Sequence, residues 1–290
     1  MSERTRSPAD DFNRRDVLKL GAAAVGAGLA AALPAGAQET RQGLGPAPEA
    51  LFAAPPIETV RVGFVGTGLQ GSGHCRNLLR IPGVQLKALC DIVPEKVERV
   101  SQWTVEAGQP KPAAYTRGER DFERMCAEED LDLVYTATPW EWHVPVAVLA
   151  MTNGKHAATE IPAVYRIEDC WQLVEHAEKH GLGPIAACLD INRGDRFDYL
   201  EEFEHPLWKQ IGGSAREAGH GGMDYLEDYR LITCLREGLP TDMNVYDAAA
   251  ISAVCELTER SVAAGSRPMQ FPDFTRGRWR MWPKLDIVTG

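Results

Sequence analysis

No Cys-x-x-Cys pair occurs in this chain, and its seven cysteines (75, 90, 126, 170, 188, 234 and 255) are scattered and odd in number. That speaks against a disulfide framework or a thiolate metal site and leaves buried core thiols as the reading. The seven histidines show no metal-ligand spacing either. Basic charge is short: 31 Lys and Arg face 41 Asp and Glu, a net charge of −10. With no basic patch to neutralise phosphates, nucleic acid and anionic membrane are unsuitable partners. Long hydrophobic runs are missing as well. The best, Leu20 to Leu33, is too short and too rich in Ala and Gly for a stable membrane anchor. After Gly181, alternating strand patterns are few and helical ones dominate.

What is present is organised around Glu58–Asp91. Val60 to Val65 is a short, β-branched apolar run, as in a strand buried on both faces. It leads into Gly66-Thr67-Gly68-Leu69-Gln70-Gly71, then a helical pattern from about Gln70 to Arg80. Val84 to Cys90 is a second strand, and Asp91 ends it, 20 residues after Gly71. Strand, glycine turn, helix, strand and acid follow in the order of a dinucleotide-binding βαβ unit. Gly66 permits the tight turn, Gly68 lets a pyrophosphate reach the backbone, and Gly71 lets helix and strand pack closely. The phosphates meet free N–H groups at the positive end of the helix. Asp91 accepts from the adenosine ribose hydroxyls and repels a 2′-phosphate, so the expected cofactor is NAD rather than NADP.

The 290 residues suffice for one large domain or two small ones. Residues 1–37 read as a twin-arginine signal peptide: Asn13-Arg14-Arg15-Asp16-Val17-Leu18-Lys19, an apolar stretch, then Ala35-Gly36-Ala37 as a cleavage site. Export by that route, to the periplasm or the exterior, suits a protein that folds around its cofactor first. Residues 38–57 are a Pro/Gly/Ala-rich linker, expected to be extended and mobile. Residues 58–180 continue the strand–helix alternation of a Rossmann-like, doubly wound parallel sheet, with helices at 94–107, 121–128, 144–153 and 167–179 and strands at 131–137 and 155–159. Ligands in such sheets collect outside the carboxyl ends of the strands. Two segments fall there: Thr138-Pro139-Trp140-Glu141-Trp142-His143 and Glu160-Ile161-Pro162. Aromatic faces there could wall a nicotinamide or a sugar, and His143 could bond ribose or substrate hydroxyls. The plainer reading packs both tryptophans on neighbouring helices and lets His143 cap the next one.

These residues resemble a known family. Gly66-Thr67-Gly68 with Asp91, Thr138-Pro139, His143 and the Glu160-x-Pro162 turn look like the Gfo/Idh/MocA oxidoreductase superfamily. Trp140 to His143, Ala158 to Ala163, Asp190 to Tyr199, His220 to Asp224 and Pro272 to Gly277 closely match its glycoside hydrolase family 109 branch, and the likeness runs from Glu58 to Trp279. The resemblance implies an exported NAD-dependent glycosidase of α-N-acetylgalactosaminidase type. In that chemistry the sugar C3 hydroxyl is transiently oxidised, the glycosidic oxygen is eliminated, water adds and the hydride returns, so NAD is needed but not consumed. It also implies cofactor-binding roles for Gly66, Gly68, Leu69, Gln70, Gly71, Asp91, Trp140, Glu141, Trp142, His143, Glu160 and Ile161. Ile161 stands where many dehydrogenases of the superfamily carry a lysine that assists hydride chemistry, which favours the glycosidase branch.

A second departure points the other way. Family members have long segments between the helix ending near Lys179 and the Gly-x-Gly-Pro-Ile run, and again after the Arg193–Tyr199 stretch. Here His180-Gly181 joins directly to Leu182-Gly183-Pro184, and Tyr199-Leu200 joins Glu201-Glu202-Phe203. Residues 181–290 are therefore a truncated, mainly helical (α+β) substrate domain, with helices at 206–218, 223–237 and 244–264. His180 either aligns with a family catalytic histidine or simply ends the preceding helix. His220 either presents an imidazole beside a helix start or belongs to a glycine turn capping it. Arg193, Asp195, Arg196 and Asp198 read as a structural salt-bridge cluster. Three readings stand: the glycosidase acting on a carbohydrate, an NAD-using sugar oxidoreductase, and a non-catalytic NAD-binding remnant. Apolar surface left by the shortened domain would favour a homo-oligomer.

Overall fold

The computed structural model describes residues 45–48, 50–182, 184–187, 205–216 and 218–282. Residues 1–37, read above as a signal peptide, the Arg193–Tyr199 stretch and Cys188 lie outside them. Six strands alternate with helices: β1 Val60–Val65, α1 Leu69–Arg80, β2 Val84–Cys90, α2 Pro94–Glu106, β3 Ala113–Tyr115, α3 Phe122–Glu128, β4 Leu133–Thr136, α4 His143–Thr152, β5 His156–Glu160, α5 Ile167–His180 and β6 Pro184–Ala187. The sheet order is β3-β2-β1-β4-β5-β6, with every pairing parallel. The order reverses at β1, so the β1/β4 boundary is the switch point where such sheets hold dinucleotides.

Strand alternation sorts side chains between two cores. Val60, Val62, Phe64, Leu133, Tyr135 and Ala158 point to one face, under α1, α2, α6 (Pro206–Ala215) and α7 (Met223–Glu237). Val65, Val134 and Ala157 point to the other, under α3, α4, α5 and α8 (Val245–Ala263). The C-terminal helices thus complete both faces of the N-terminal sheet. Local sequence sets their ends: Pro206 occupies the first turn of α6, and Asn244 with Asp247 forms a capping box on α8.

Two boundaries differ from the sequence reading. The sheet continues past residue 180, because β6 pairs with β5 from Ala157↔Pro184 to Glu160↔Ala187. The stretch from Gly45 to Ile57, expected to be mobile, is pinned where described. Ala53 bridges Pro240, Ile57 N–H donates to Leu235 O, Trp282 Nε1 donates to Pro48 O, and Ala47 and Ala54 are buried. Small and proline-rich side chains let this strip lie flat against α7 and the C-terminal turns. Five cysteines are buried and Cys255 is exposed; burial pushes the Cys90 and Cys126 thiols up to about 12. Among the described residues no helix is long and apolar enough to cross a membrane.

Candidate functional site

The β1–α1 turn has the shape its glycines imply. Gly66 has φ +87°, and a Cβ there would stand 2.7 Å from Ala137 O. A Cβ on Gly71 would lie 1.9 Å from Gly66 O and 2.9 Å from the Phe64 ring, so the helix could not pack this closely. A Cβ on Gly68 would meet nothing within 4 Å. The space beside Gly68 is open toward the carboxyl edge of the sheet, where the first N–H groups of α1 emerge. That is a cradle for an anion, not a filled turn. Leu69 beside it is 96% exposed, and Ile92 and Trp140, at the ends of β2 and β4, are 59% and 45% exposed. Large apolar groups line the strand ends along this edge.

Asp91 is buried at the end of β2. Its Oδ2 accepts from Thr67 N–H at 2.8 Å, and its Oδ1 accepts from Val93 N–H at 2.9 Å. The carboxylate therefore fixes the glycine turn as well as facing the crevice. A carboxylate has about four acceptor sites, so lone pairs remain for ribose hydroxyls. The residues present fit a dinucleotide.

The Trp140–His143 segment divides between surface and core. A single 3-10 turn spans Trp140–Trp142 and runs into α4. Trp140 leans on Tyr165 at a ring distance of 5.1 Å, and Glu141 is exposed. Trp142 meets Phe122 edge-on at 5.9 Å. His143 is fully buried, its Nε2 2.9 Å from Thr138 O and its Nδ1 3.1 Å from Pro162 O. Burial lowers its pKa, and the neutral ring, with one N–H, donates to one of these two carbonyls. It does not face the crevice, contrary to the ribose-binding role read from the sequence. Ile161 is half-buried against the core under α4 and α5, and the Ile161–Pro162 peptide is cis.

Glu160 is drawn into a network that the sequence did not announce. His74, on the second turn of α1, is 1% exposed. Its Nε2 lies 2.5 Å from Glu160 Oε1, and its Nδ1 lies 2.9 Å from Asp228 Oδ2 on α7. Asn77 Nδ2 donates to the same Asp228 oxygen at 2.9 Å, and Tyr135 Oη is 3.2 Å from His74 Nδ1. Gln70 Nε2 donates to Asp224 Oδ2 at 3.3 Å, and Asp224 Oδ1 holds His220 Nδ1 at 2.8 Å. Burial opposes charge on His74, but Asp228 and Glu160 outweigh it and hold the imidazolium well above the ordinary histidine range. Burial opposes charge on Glu160 too; its hydrogen bond to His74 and the His74 charge overcome that and lower its pKa. Complete burial raises Asp228 despite His74 and Asn77. The Tyr135 phenol is pushed far up, first by burial and then by Asp228, Glu160, Glu227 and Asp224. His74, Asn77, Tyr135, Asp224 and Asp228 escaped sequence reasoning, although His74/Asn77 and Asp224/Asp228 have the spacings that share a helix face.

His180 stands apart. Helix α5 starts after the carboxyl end of β5 and returns to the amino end of β6. Its 14 residues span about 21 Å. His180 at its end is therefore at the opposite edge of the sheet from Gly68 and Glu160. Its ring stacks on His176 at 6.1 Å. The structure brings together Gly66, Gly68, Leu69, Gln70, Gly71, Asp91 and Glu160, with Trp140 at the rim, and does not bring His180 to them.

Comparison with known proteins agrees with this geometry. Residues 60–184 match the oxidoreductase family with an NAD-binding Rossmann fold, and residues 198–281 match the glycosyl hydrolase 109 C-terminal domain. The cofactor is NAD. A glycosyl hydrolase family 109 protein of Solibacter usitatus is 30% identical over 442 residues, covering 93% of this chain and 99% of the relative. One from Saccharopolyspora erythraea is 29% identical, covering 94% and 96%. The first alignment runs over 152 more positions than the chain's 290 residues, so it is interrupted by long gaps. Among solved structures, scyllo-inositol dehydrogenase from Lactobacillus casei, with bound NAD(H) and scyllo-inositol, is 22% identical with a TM-score of 0.40, covering 55% of this chain and 42% of that one.

Proposed function

The chain belongs to glycosyl hydrolase family 109, and from that premise we propose that it is an NAD-dependent glycosidase acting on an α-N-acetylgalactosaminide-like sugar. One observation carries the reading: α7, within the glycosyl hydrolase 109 portion, packs on α1, the helix that follows the glycine turn. Asp224 meets Gln70 and Asp228 meets His74, across 154 residues of sequence. The half of the chain that recognises sugar in the family is thus wired to the half that holds the cofactor.

The residues divide the work. Gly66, Gly68 and the first turn of α1 would hold the diphosphate, and Asp91 the adenosine ribose. Bound NAD would supply a hydride acceptor that is restored within each turnover, so no net NADH forms. Leu69, Ile92 and Trp140, exposed along the strand ends, would be covered by the ligand and exclude water from its faces. His220, its Nδ1 held by Asp224, has the arrangement of a base oriented by a carboxylate and would move a proton at Nε2. Ile161 holds no proton to give, which supports the glycosidase over a lysine-assisted dehydrogenase. The alternative of a non-catalytic remnant draws on the long gaps in the alignment.

Mass spectrometry of the purified chain, run beside an aryl α-N-acetylgalactosaminide assay, separates these readings. Co-purified NAD with phenol release and no NADH build-up is the expected result. Steady NADH accumulation would instead mean an oxidoreductase, and bound NAD without any turnover a remnant.

A further inference from the structure

Both ring nitrogens of His74 lie against carboxylate oxygens. Nδ1 is 3.0 and 2.9 Å from Asp228 Oδ1 and Oδ2, and Nε2 is 2.5 Å from Glu160 Oε1. A ring that donates on both sides carries both protons. It is also clamped, with the Tyr135 ring 4.9 Å away and the Phe64 ring 6.4 Å away. Asn77 Nδ2 donates to Asp228 at 2.9 Å, so the carboxylate behind the ring is held in place too. Asn77, Asp228, His74 and Glu160 thus form a chain of fixed contacts. The first three are buried, and only Glu160, with 13% of its side chain exposed, reaches the surface.

Glu160 closes β5 at the carboxyl edge of the sheet. A dinucleotide lies across that edge with one half over each half of the sheet. Asp91, at the end of β2, marks the adenosine side, so the nicotinamide ribose falls on the side of β4 and β5, by Glu160. Besides His74, the Gln70 side chain and the Ile161 N–H donate to the Glu160 carboxylate. A carboxylate has about four acceptor sites, so about one is left for a ligand hydroxyl. Three donors fix the direction in which that site is offered. Without His74 the carboxylate loses its shortest contact, and ordering a loosened side chain again costs binding free energy.

We propose that His74 and Asp228 are positioning residues for the cofactor: they hold Glu160 so that its open acceptor site receives a hydroxyl of the nicotinamide ribose. Asp228 belongs to α7, within the glycosyl hydrolase 109 portion, so uptake of the nicotinamide half depends on a helix far along the chain from the glycine turn. Diphosphate and adenosine, placed at Gly68 and Asp91, do not share that dependence. The inference goes beyond the glycosidase reading and needs only uptake of NAD.

The test is equilibrium titration of the full chain, cleared of co-purifying nucleotide, with NAD and separately with ADP. ADP keeps the adenosine and the diphosphate but has no nicotinamide ribose. The ratio of the two Kd values is the readout, because a general loss of structure weakens both ligands alike. His74→Gln and Glu160→Gln are each expected to weaken NAD on the order of tenfold, a factor worth about 1.4 kcal/mol, and to leave ADP within about twofold. The double variant should bind NAD no more weakly than either single one, since His74 acts through Glu160. Asp228→Asn should move the ratio the same way by a smaller factor, and it decides the matter should His74→Gln fail to fold. Equal weakening of NAD and ADP, an unmoved ratio in a folded variant, or additive losses in the double variant overturns the inference. Failure to release phenol would count against the glycosidase reading alone and leave the ratio standing.

Discussion

Two histidines with similar claims in the sequence end in opposite places. His180 precedes a glycine as a family catalytic residue does, yet α5 carries it to the amino edge of the sheet, about one helix length from the crevice. His220 looked like part of a glycine turn, and the turn is real: His220 itself has φ +48° and Gly221 φ +68°. The same strained turn aims the imidazole at Asp224 beside Gln70, and sparsely populated backbone of this kind is tolerated where a function holds it. His180→Ala should accordingly leave both NAD retention and aryl-glycoside turnover within about twofold of wild type, a change of less than ~0.5 kcal/mol. Loss of turnover with the cofactor retained would return His180 to the mechanism.

At the scale of elements, the α1–α7 seam carries the most chemistry. It is also the part least legible in advance. Strands β1 and β2 fall where the sequence reading placed them, and α7 spans Met223–Glu237 as its helical pattern indicated. Strand β3 has three residues and β6 four, too short for a period to show. The glycine cradle was readable because each glycine acts within one local turn. The His74–Asp228 contact was not, because a single sequence holds no signal for a pairing across 154 residues. That contact has a measurable pH signature. His74 is held protonated in the fold well above its ordinary value of 6.5, so the native state binds a proton that the unfolded chain releases. Its stabilisation is complete below that value and is lost as pH rises toward the folded pKa. In this window each pH unit should remove up to about 1.4 kcal/mol of unfolding free energy. His74→Gln should flatten the slope of stability against pH above neutrality, as read by urea denaturation. An unchanged slope would mean that the ring is neutral in the fold.

Taken whole, the molecule couples its two halves through charge as well as through apolar packing. Leu226, Leu231, Ile232 and Leu235 of α7 bury against the sheet face that also carries Phe64 and Tyr135. Apolar side chains remain on the outside, with Ile251, Val254 and Val262 of α8 exposed at 38%, 51% and 67%. Helices α7 and α8 therefore act as two covers on one sheet. Consider the chain divided between β6 and α6. The first part would bare the face that holds Phe64 and Tyr135 and leave His74 with Glu160 alone. The second would carry Asp228 without His74 and Asn77 and leave four apolar residues in water. Neither part should melt cooperatively by itself, whereas the two mixed should regain helical signal and co-elute. The anion-bearing helix thus acts as an assembly key: the contact that holds the His74 charge also obliges the two parts to fold together.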